Sequence, residues 1–138
     1  MDGEIAPAAV ADLLATWRER ESPAGYVVDV RPTEDFERYH IPGSVSIPFG
    51  RLPGSVERLA GAERVVTVCP HGVSSVGAAR VVAGYEGLAD GATVKSMAGG
   101  LAAWEGELVD ADGEVVRASA APGAIDATDE GTGGAPLD

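Results

Sequence analysis

Two short runs, residues 26–30 and 64–68, are rich in valine and show almost no polar alternation, which is how a strand reads when both of its faces are buried. A third run, residues 93–97, completes the series, and segments with helical patterning lie between the three. Strands joined through helices enter a sheet side by side in the same direction, so the chain is expected to be α/β with a mainly parallel sheet.

The intervening segments have recognisable punctuation. Val10, Leu13, Leu14 and Trp17 recur at helical spacing over residues 7–20, with Pro7 where a first-turn proline is tolerated. Ser22, Pro23, Ala24 and Gly25 break the chain before the first buried strand. Thr33 is placed to cap a short helix through Tyr39, with Glu34 and Asp35 in the first turn, where the dipole favours acids. A turn at Ile41-Pro42-Gly43 leads to a short apolar stretch at 45–47 and then a helix near 56–59. Beyond residue 75 a helix carries Val76, Ala79, Val82 and Ala83 toward the core, and a last short helix holds Leu101 and Trp104. Residues 1–110 read as one domain and 111–138 as a C-terminal extension. From about 118 the extension lacks the apolar surface to offset chain entropy and is expected to be largely disordered. Asp110-Ala111-Asp112-Gly113-Glu114 fills too few positions of a calcium loop and reads as an Asp-Gly turn.

Apolar residues make up 45% of the 138, enough for a core. Acids outnumber bases by 22 to 10 and the net charge is −12, which repels nucleic-acid phosphates and makes nucleic acid an unexpected partner. Lys95 is the one lysine. That balance suits a salty cytoplasm, as in halophiles, because a Debye length of about 3 Å at 1 M salt screens self-repulsion; an ordinarily acidic protein is the alternative. No run of roughly 18 apolar residues occurs. The start, Met-Asp-Gly-Glu, lacks the basic and apolar segments of a secretory signal. The expectations are a cytoplasmic location and no membrane partner.

The chain has one cysteine, Cys69, so an internal disulfide and a cysteine-based zinc site are excluded. Its position is chemically pointed. A buried strand runs straight into it, and Pro70-His71-Gly72-Val73-Ser74-Ser75 then leads into a helix. The C-terminal ends of parallel strands are where ligands bind, and a helix start presents free N–H groups and a positive dipole end. A loop curled around the sulfur makes an anion nest that lowers the thiol pKa from near 8.5 toward about 3.5–7.5. Residues alone give a reactive, anion-handling cysteine, with a small buried hydrophobe as the alternative.

Asp29-Val30-Arg31-Pro32-Thr33-Glu34-Asp35-Phe36-Glu37-Arg38-Tyr39-His40-Ile41-Pro42-Gly43-Ser44 resembles the N-terminal signature of the rhodanese family. Gly99-Gly100-Leu101-Ala102-Ala103-Trp104 resembles its C-terminal signature, and Cys69 falls between them at a strand end. The resemblance extends over residues 4–108. It implies a rhodanese-like fold, a central five-stranded, mainly parallel sheet with helices on both faces. It also implies that Cys69 is the catalytic nucleophile, taking sulfur from a donor as a persulfide and passing the outer sulfur to a thiol or cyanide. The partners so implied are a small sulfur-containing anion or a protein persulfide as donor and a thiol as acceptor, with no metal and no organic cofactor. A non-catalytic rhodanese-type module that binds a protein or senses redox state is the other reading.

From Cys69 through Ser74 the loop is six residues long, the length of sulfur-transferring members. Phosphatase and arsenate reductase relatives need an arginine one position later to grip their anion, and here that position is Ser75. Thiosulfate-active members often carry Arg or Lys directly after the cysteine and Arg late in the loop; Pro70 and Ser74 stand there instead, which turns the expectation toward a protein persulfide donor. The substrate-binding residues so implied are Pro70, His71, Gly72, Val73, Ser74 and Ser75, with the last four amides as the anion cradle. His71 holds an anion, moves a proton, or merely faces solvent. Ser74 and Ser75 donate to a persulfide, or Ser74 caps the helix. Asp29 and Arg31 stand either as pocket wall or as a local ion pair and cap. His40 is expected to orient its turn, Gly43, Gly99 and Gly100 to give turns their freedom, and Trp17 and Trp104 to fill core.

Overall fold

The computed structural model describes residues 1–18 and 25–116. The chain runs β1 (Glu4–Ile5), α1 (Pro7–Arg18), β2 (Gly25–Asp29), α2 (Thr33–Arg38), β3 (Val45–Ser46), a 3-10 turn (Phe49–Arg51), α3 (Leu52–Ser55), a second 3-10 segment (Val56–Leu59), β4 (Arg64–Val68), α4 (Ser74–Ala83), β5 (Thr93–Met97) and a third 3-10 turn (Gly100–Ala103). The five strands make one sheet in the order β1-β5-β4-β2-β3, every neighbouring pair parallel. The expected α/β class and the mainly parallel five-stranded sheet are what the chain forms.

Successive residues of a strand face opposite sides, and each side of this sheet has its own core. Val28, Val30, Val65, Cys69 and Val94 pack under Leu52, Leu59, Ala78, Ala79 and Val82, the buried side chains of α3, the second 3-10 segment and α4. Val27, Val66, Val68 and Met97 pack instead against Val10 and Leu14 of α1, with Ile41, Leu101 and Leu108. Helices therefore cover both faces, and the valine runs at 26–30 and 64–68 lack polar alternation because neither face meets water.

Several local expectations need correction. Thr33 is the first helical residue of α2 and not its cap; Pro32 occupies that position, its carbonyl accepts from Asp35 and Phe36, and no side chain caps the helix. Ser74 likewise starts α4 and leaves the cap position to Val73, without a side-chain cap bond. The helix near 56–59 is a tight 3-10 segment preceded by the single α-turn of α3. Ala83 is exposed, because α4 ends there and turns away at Gly84. β1 is too short for any period to announce it. The break at 22–24, the end of the first helix beyond residue 18 and the tail from 118 lie outside the described residues.

The Asp-Gly turn forms as expected. The Asp110 carboxylate accepts from the amides of Asp112 (2.9 Å) and Glu114 (3.0 Å), which folds 110–114 back on itself through backbone donors.

Candidate active site

Cys69 follows the last residue of β4, on the α4 face of the sheet, and is 1% exposed. Its sulfur is ringed by donors. The amide of Gly72 lies 3.1 Å from Sγ and that of Ser75 3.3 Å, the latter in the first turn of α4. Ser75 Oγ lies 3.2 Å from Sγ. Of the four amides expected to form the cradle, Gly72 and Ser75 supply these bonds, while the hydrogen bonds reaching the sulfur include none from Val73 or Ser74 nitrogen. Pro70, His71, Val73 and Ser74 are exposed and form the outer surface of the loop, with Val73 at 77%.

Two hydroxyls that sequence reasoning overlooked complete the surroundings. Thr67 Oγ1 donates to the Ser75 carbonyl at 2.7 Å, fastening the first turn of α4 to β4. Ser96 Oγ lies 2.7 Å from Ser75 Oγ. Thr67, Ser75 and Ser96 are all fully buried. The parallel register makes the meeting unavoidable: Thr67 pairs with Ser96 across β4 and β5, and Cys69 lies two residues beyond Thr67 on the same face. A serine inside a short run gives no signal of this until the register is known.

The C-terminal signature has a definite task here, beyond turn freedom. The amide of Leu101 donates to the Cys69 carbonyl (2.9 Å) and that of Ala102 to the Pro70 carbonyl (3.0 Å). Gly100, at φ +64°, lets the turn lie directly on the loop; a Cβ there would fall against the Cys69 carbonyl oxygen and 2.6 Å from the amide nitrogens of His71 and Gly72. Gly72, at φ +82°, meets it from the other side, where a Cβ would sit 2.8 Å from the Gly99 nitrogen. Two glycine backbones in contact hold the cysteine loop in its curl.

Asp29 and Arg31 form the ion pair. Arg31 reaches the carboxylate through Nη2 (2.8 Å) and Nε (3.0 Å to Oδ1), its amide donates to Oδ1 at 3.0 Å, and both side chains are almost wholly buried. Nη2 also donates to the Tyr39 carbonyl, and the guanidinium lies 4.9 Å over the Tyr39 ring. Strand alternation places Asp29 with Val27, on the sheet face opposite Cys69. His40 ties its turn as expected: Nδ1 lies 2.8 Å from the Phe36 carbonyl, so it carries the proton, and the ring stacks on Phe36 at 3.8 Å. Trp17 and Trp104 pack at the edge of the α1-side core. Trp104 also borders two surface grooves, neither of which includes a residue of the cysteine loop.

Burial opposes ionisation of Cys69 and pushes its pKa up. Hydrogen bonds to the sulfur, led by those from Ser75, outweigh it, so the thiol titrates below its ordinary value. A folded-state pKa below the unfolded one means a stabilising contribution present above the unfolded pKa and lost as pH falls through the folded one. Alkylation of native Cys69 by iodoacetamide is accordingly expected to inflect at a lower pH than in the urea-unfolded chain, whose thiol should titrate near about 8.5. Coincident inflections would show that the donors do not hold the anion.

The comparisons with known proteins agree with this geometry. Residues 10–107 match the family model described as Rhodanese-like domain. A segment of 52 residues is 38% identical to the HTH-type transcriptional regulator Rv0324 of Mycobacterium tuberculosis, covering 38% of this chain and 23% of that protein, so the chain spans about a quarter of that relative's length. Over 79 residues it is 33% identical to the thiosulfate sulfurtransferase GlpE of Pseudoalteromonas translucida, covering 57% of this chain and 71% of that one. Among solved structures, the BH2092 protein of Bacillus halodurans superposes with a TM-score of 0.65 at 26% identity, over 80% of this chain and 78% of its own. With residues 10–107 matching that family model and the C-terminal signature closing a cysteine loop at the end of a parallel strand, the chain belongs to the rhodanese-like domain family.

Proposed function

We propose that the protein is a sulfurtransferase that carries sulfur as a persulfide on Cys69. The observation that carries this reading is the convergence of two amides and a hydroxyl on a buried sulfur. The Cys69 thiolate attacks the terminal sulfur of a donor. A new S–S bond forms, and the donor's bond to that sulfur breaks with its electron pair, releasing sulfite from thiosulfate or a thiolate from a protein persulfide. An acceptor thiolate or cyanide then attacks the outer sulfur and returns Cys69 to the thiolate. The donors that hold the thiolate also suit the persulfide anion.

A protein persulfide is the favoured donor. Residues 69–75 contain no Lys or Arg to grip a free divalent anion, and the loop's outer surface presents Val73 and Pro70 alongside His71. Phe49, also exposed, lies against α4 at Gly77, one helical turn from Val73, which extends the apolar rim. His71 and Ser74, both exposed, are assigned to the approaching partner's side of the loop and Ser75 to the sulfur.

The likeness to part of a transcriptional regulator supports a second reading, a rhodanese-type module that senses or binds without turnover. Intact mass separates the two. After incubation with thiosulfate, or with a persulfidated thiol protein, the wild type is expected to gain one sulfur that a reductant removes, the protein donor loading faster, while Cys69→Ser gains none. A folded wild-type protein with a titratable thiol and no such adduct from either donor would sink the sulfurtransferase reading and leave the module.

A further inference from the structure

Three buried groups stand in a row: Cys69 Sγ, Ser75 Oγ at 3.2 Å, and Ser96 Oγ a further 2.7 Å on. A neutral thiol gives its own proton to Ser75 Oγ; once Cys69 is the thiolate, only the two hydroxyls have a proton to donate, none of the three groups meets solvent, and both protons must be accounted for inside the row. If Ser75 donated to Ser96, the Ser96 proton would have no acceptor among the described residues, since Ser75 Oγ is the one hydrogen-bond partner found for Ser96 Oγ. An unmet donor at a fully buried site is costly. The arrangement that uses both protons has Ser96 donating to Ser75 and Ser75 donating to the sulfur. Its end point is a sulfur that accepts, and chains of hydrogen bonds polarised in one direction strengthen one another.

We infer that Ser96 is a positioning residue that turns the Ser75 hydroxyl onto the Cys69 sulfur and so sets how much of that sulfur is held as an anion. Its use in turnover rests on the sulfurtransferase reading; its effect on the thiol does not. The hydrogen bonds found at the sulfur include none from Ser96. It acts because the β4–β5 register brings a second hydroxyl within reach of the first. Without it the Ser75 proton is free to turn away, and the sulfur keeps the Gly72 and Ser75 amides as donors.

Ser96→Thr and Ser96→Val test this directly, being nearly identical in shape and differing by a hydroxyl against a methyl. Thiolate ultraviolet absorbance is titrated against pH in each folded protein. Ser96→Thr is expected to titrate with the wild type, and Ser96→Val to show an ionisation constant roughly three- to tenfold smaller. Ser96→Val titrating with the other two overturns the inference. Should the branched side chains not be accommodated, Ser96→Ala against wild type reads the same quantity, with the same shift expected and an unchanged titration equally decisive against it. A wild type that never loads sulfur while Ser96→Val still shifts removes the catalytic reading and keeps the relay. Normal loading with no shift does the reverse.

Discussion

Gly100→Ala is expected to lose the cysteine pocket together with a large part of the protein's stability. Two effects add. A side chain at φ +64° is held in the left-handed region, at a cost of about 1–3 kcal/mol. The Cβ also has no room, since it falls among the backbone atoms of Cys69, His71 and Gly72, and overpacking typically costs about 1–3 kcal/mol more. Backbone on backbone cannot yield by a rotamer change, so the loop itself must move, and with it the amides that face Sγ. Gly113 supplies the control. It shares the positive φ (+83°) but a Cβ there meets nothing within 4 Å, so Gly113→Ala carries strain without collision. Denaturant midpoints and thiol titrations of the two variants should diverge, Gly100→Ala losing more stability and regaining an ordinary thiol pKa. Equal behaviour would mean that the turn does not hold the loop.

The second large effect is expected at the opposite face. Asp29→Ala leaves the Arg31 guanidinium, 4% exposed, with the carbonyl and ring face of Tyr39 as its remaining partners among the described residues. Removing one member of a buried pair typically costs about 3–5 kcal/mol, against a total stability for most domains of about 5–15 kcal/mol. The damage comes from the stranded charge and not from a lost attraction, so removing both charges should restore much of what removing one takes away. Asp29→Leu combined with Arg31→Met is therefore expected to be markedly more stable than Asp29→Ala by urea unfolding. A double variant no better than the single one would contradict the stranded-charge account, and a single variant within about 1 kcal/mol of wild type would show the site to be far wetter than its burial indicates. Sulfur loading should follow stability in this series, because Asp29 lies across the sheet from Cys69.

The sequence carried the larger design well, for a physical reason. A strand covered on both faces has nowhere to put a polar residue, so 26–30 and 64–68 were visible as valine runs, and the cysteine's place at the end of one of them followed. What stayed hidden depended on register or on close approach. Ser96 is an undistinguished serine until β4 and β5 are aligned, when it becomes the neighbour of Ser75. Gly99 and Gly100 read as turn residues, although their use is to let one backbone rest on another. Asp29 and Arg31 were legible as a candidate ion pair, but that the pair is buried follows only from the packed fold. The cap expected from Thr33, and the one offered as an alternative for Ser74, are absent because each residue lies one step inside its helix.

The amides of Leu101 and Ala102 close the cysteine loop from far downstream in the chain, and this sets a time order. Ribosomes deliver residues N-terminal first, at about 5–20 per second. Cys69 and its loop are therefore made well before the turn that shapes them. β1, the first strand, pairs with β5, the last, so the edge of the sheet also waits for the same late segment. A chain that stops short of the second signature lacks the amides that close the loop and is expected to keep an ordinary thiol at Cys69. A lowered thiol pKa would then be a property of the finished domain.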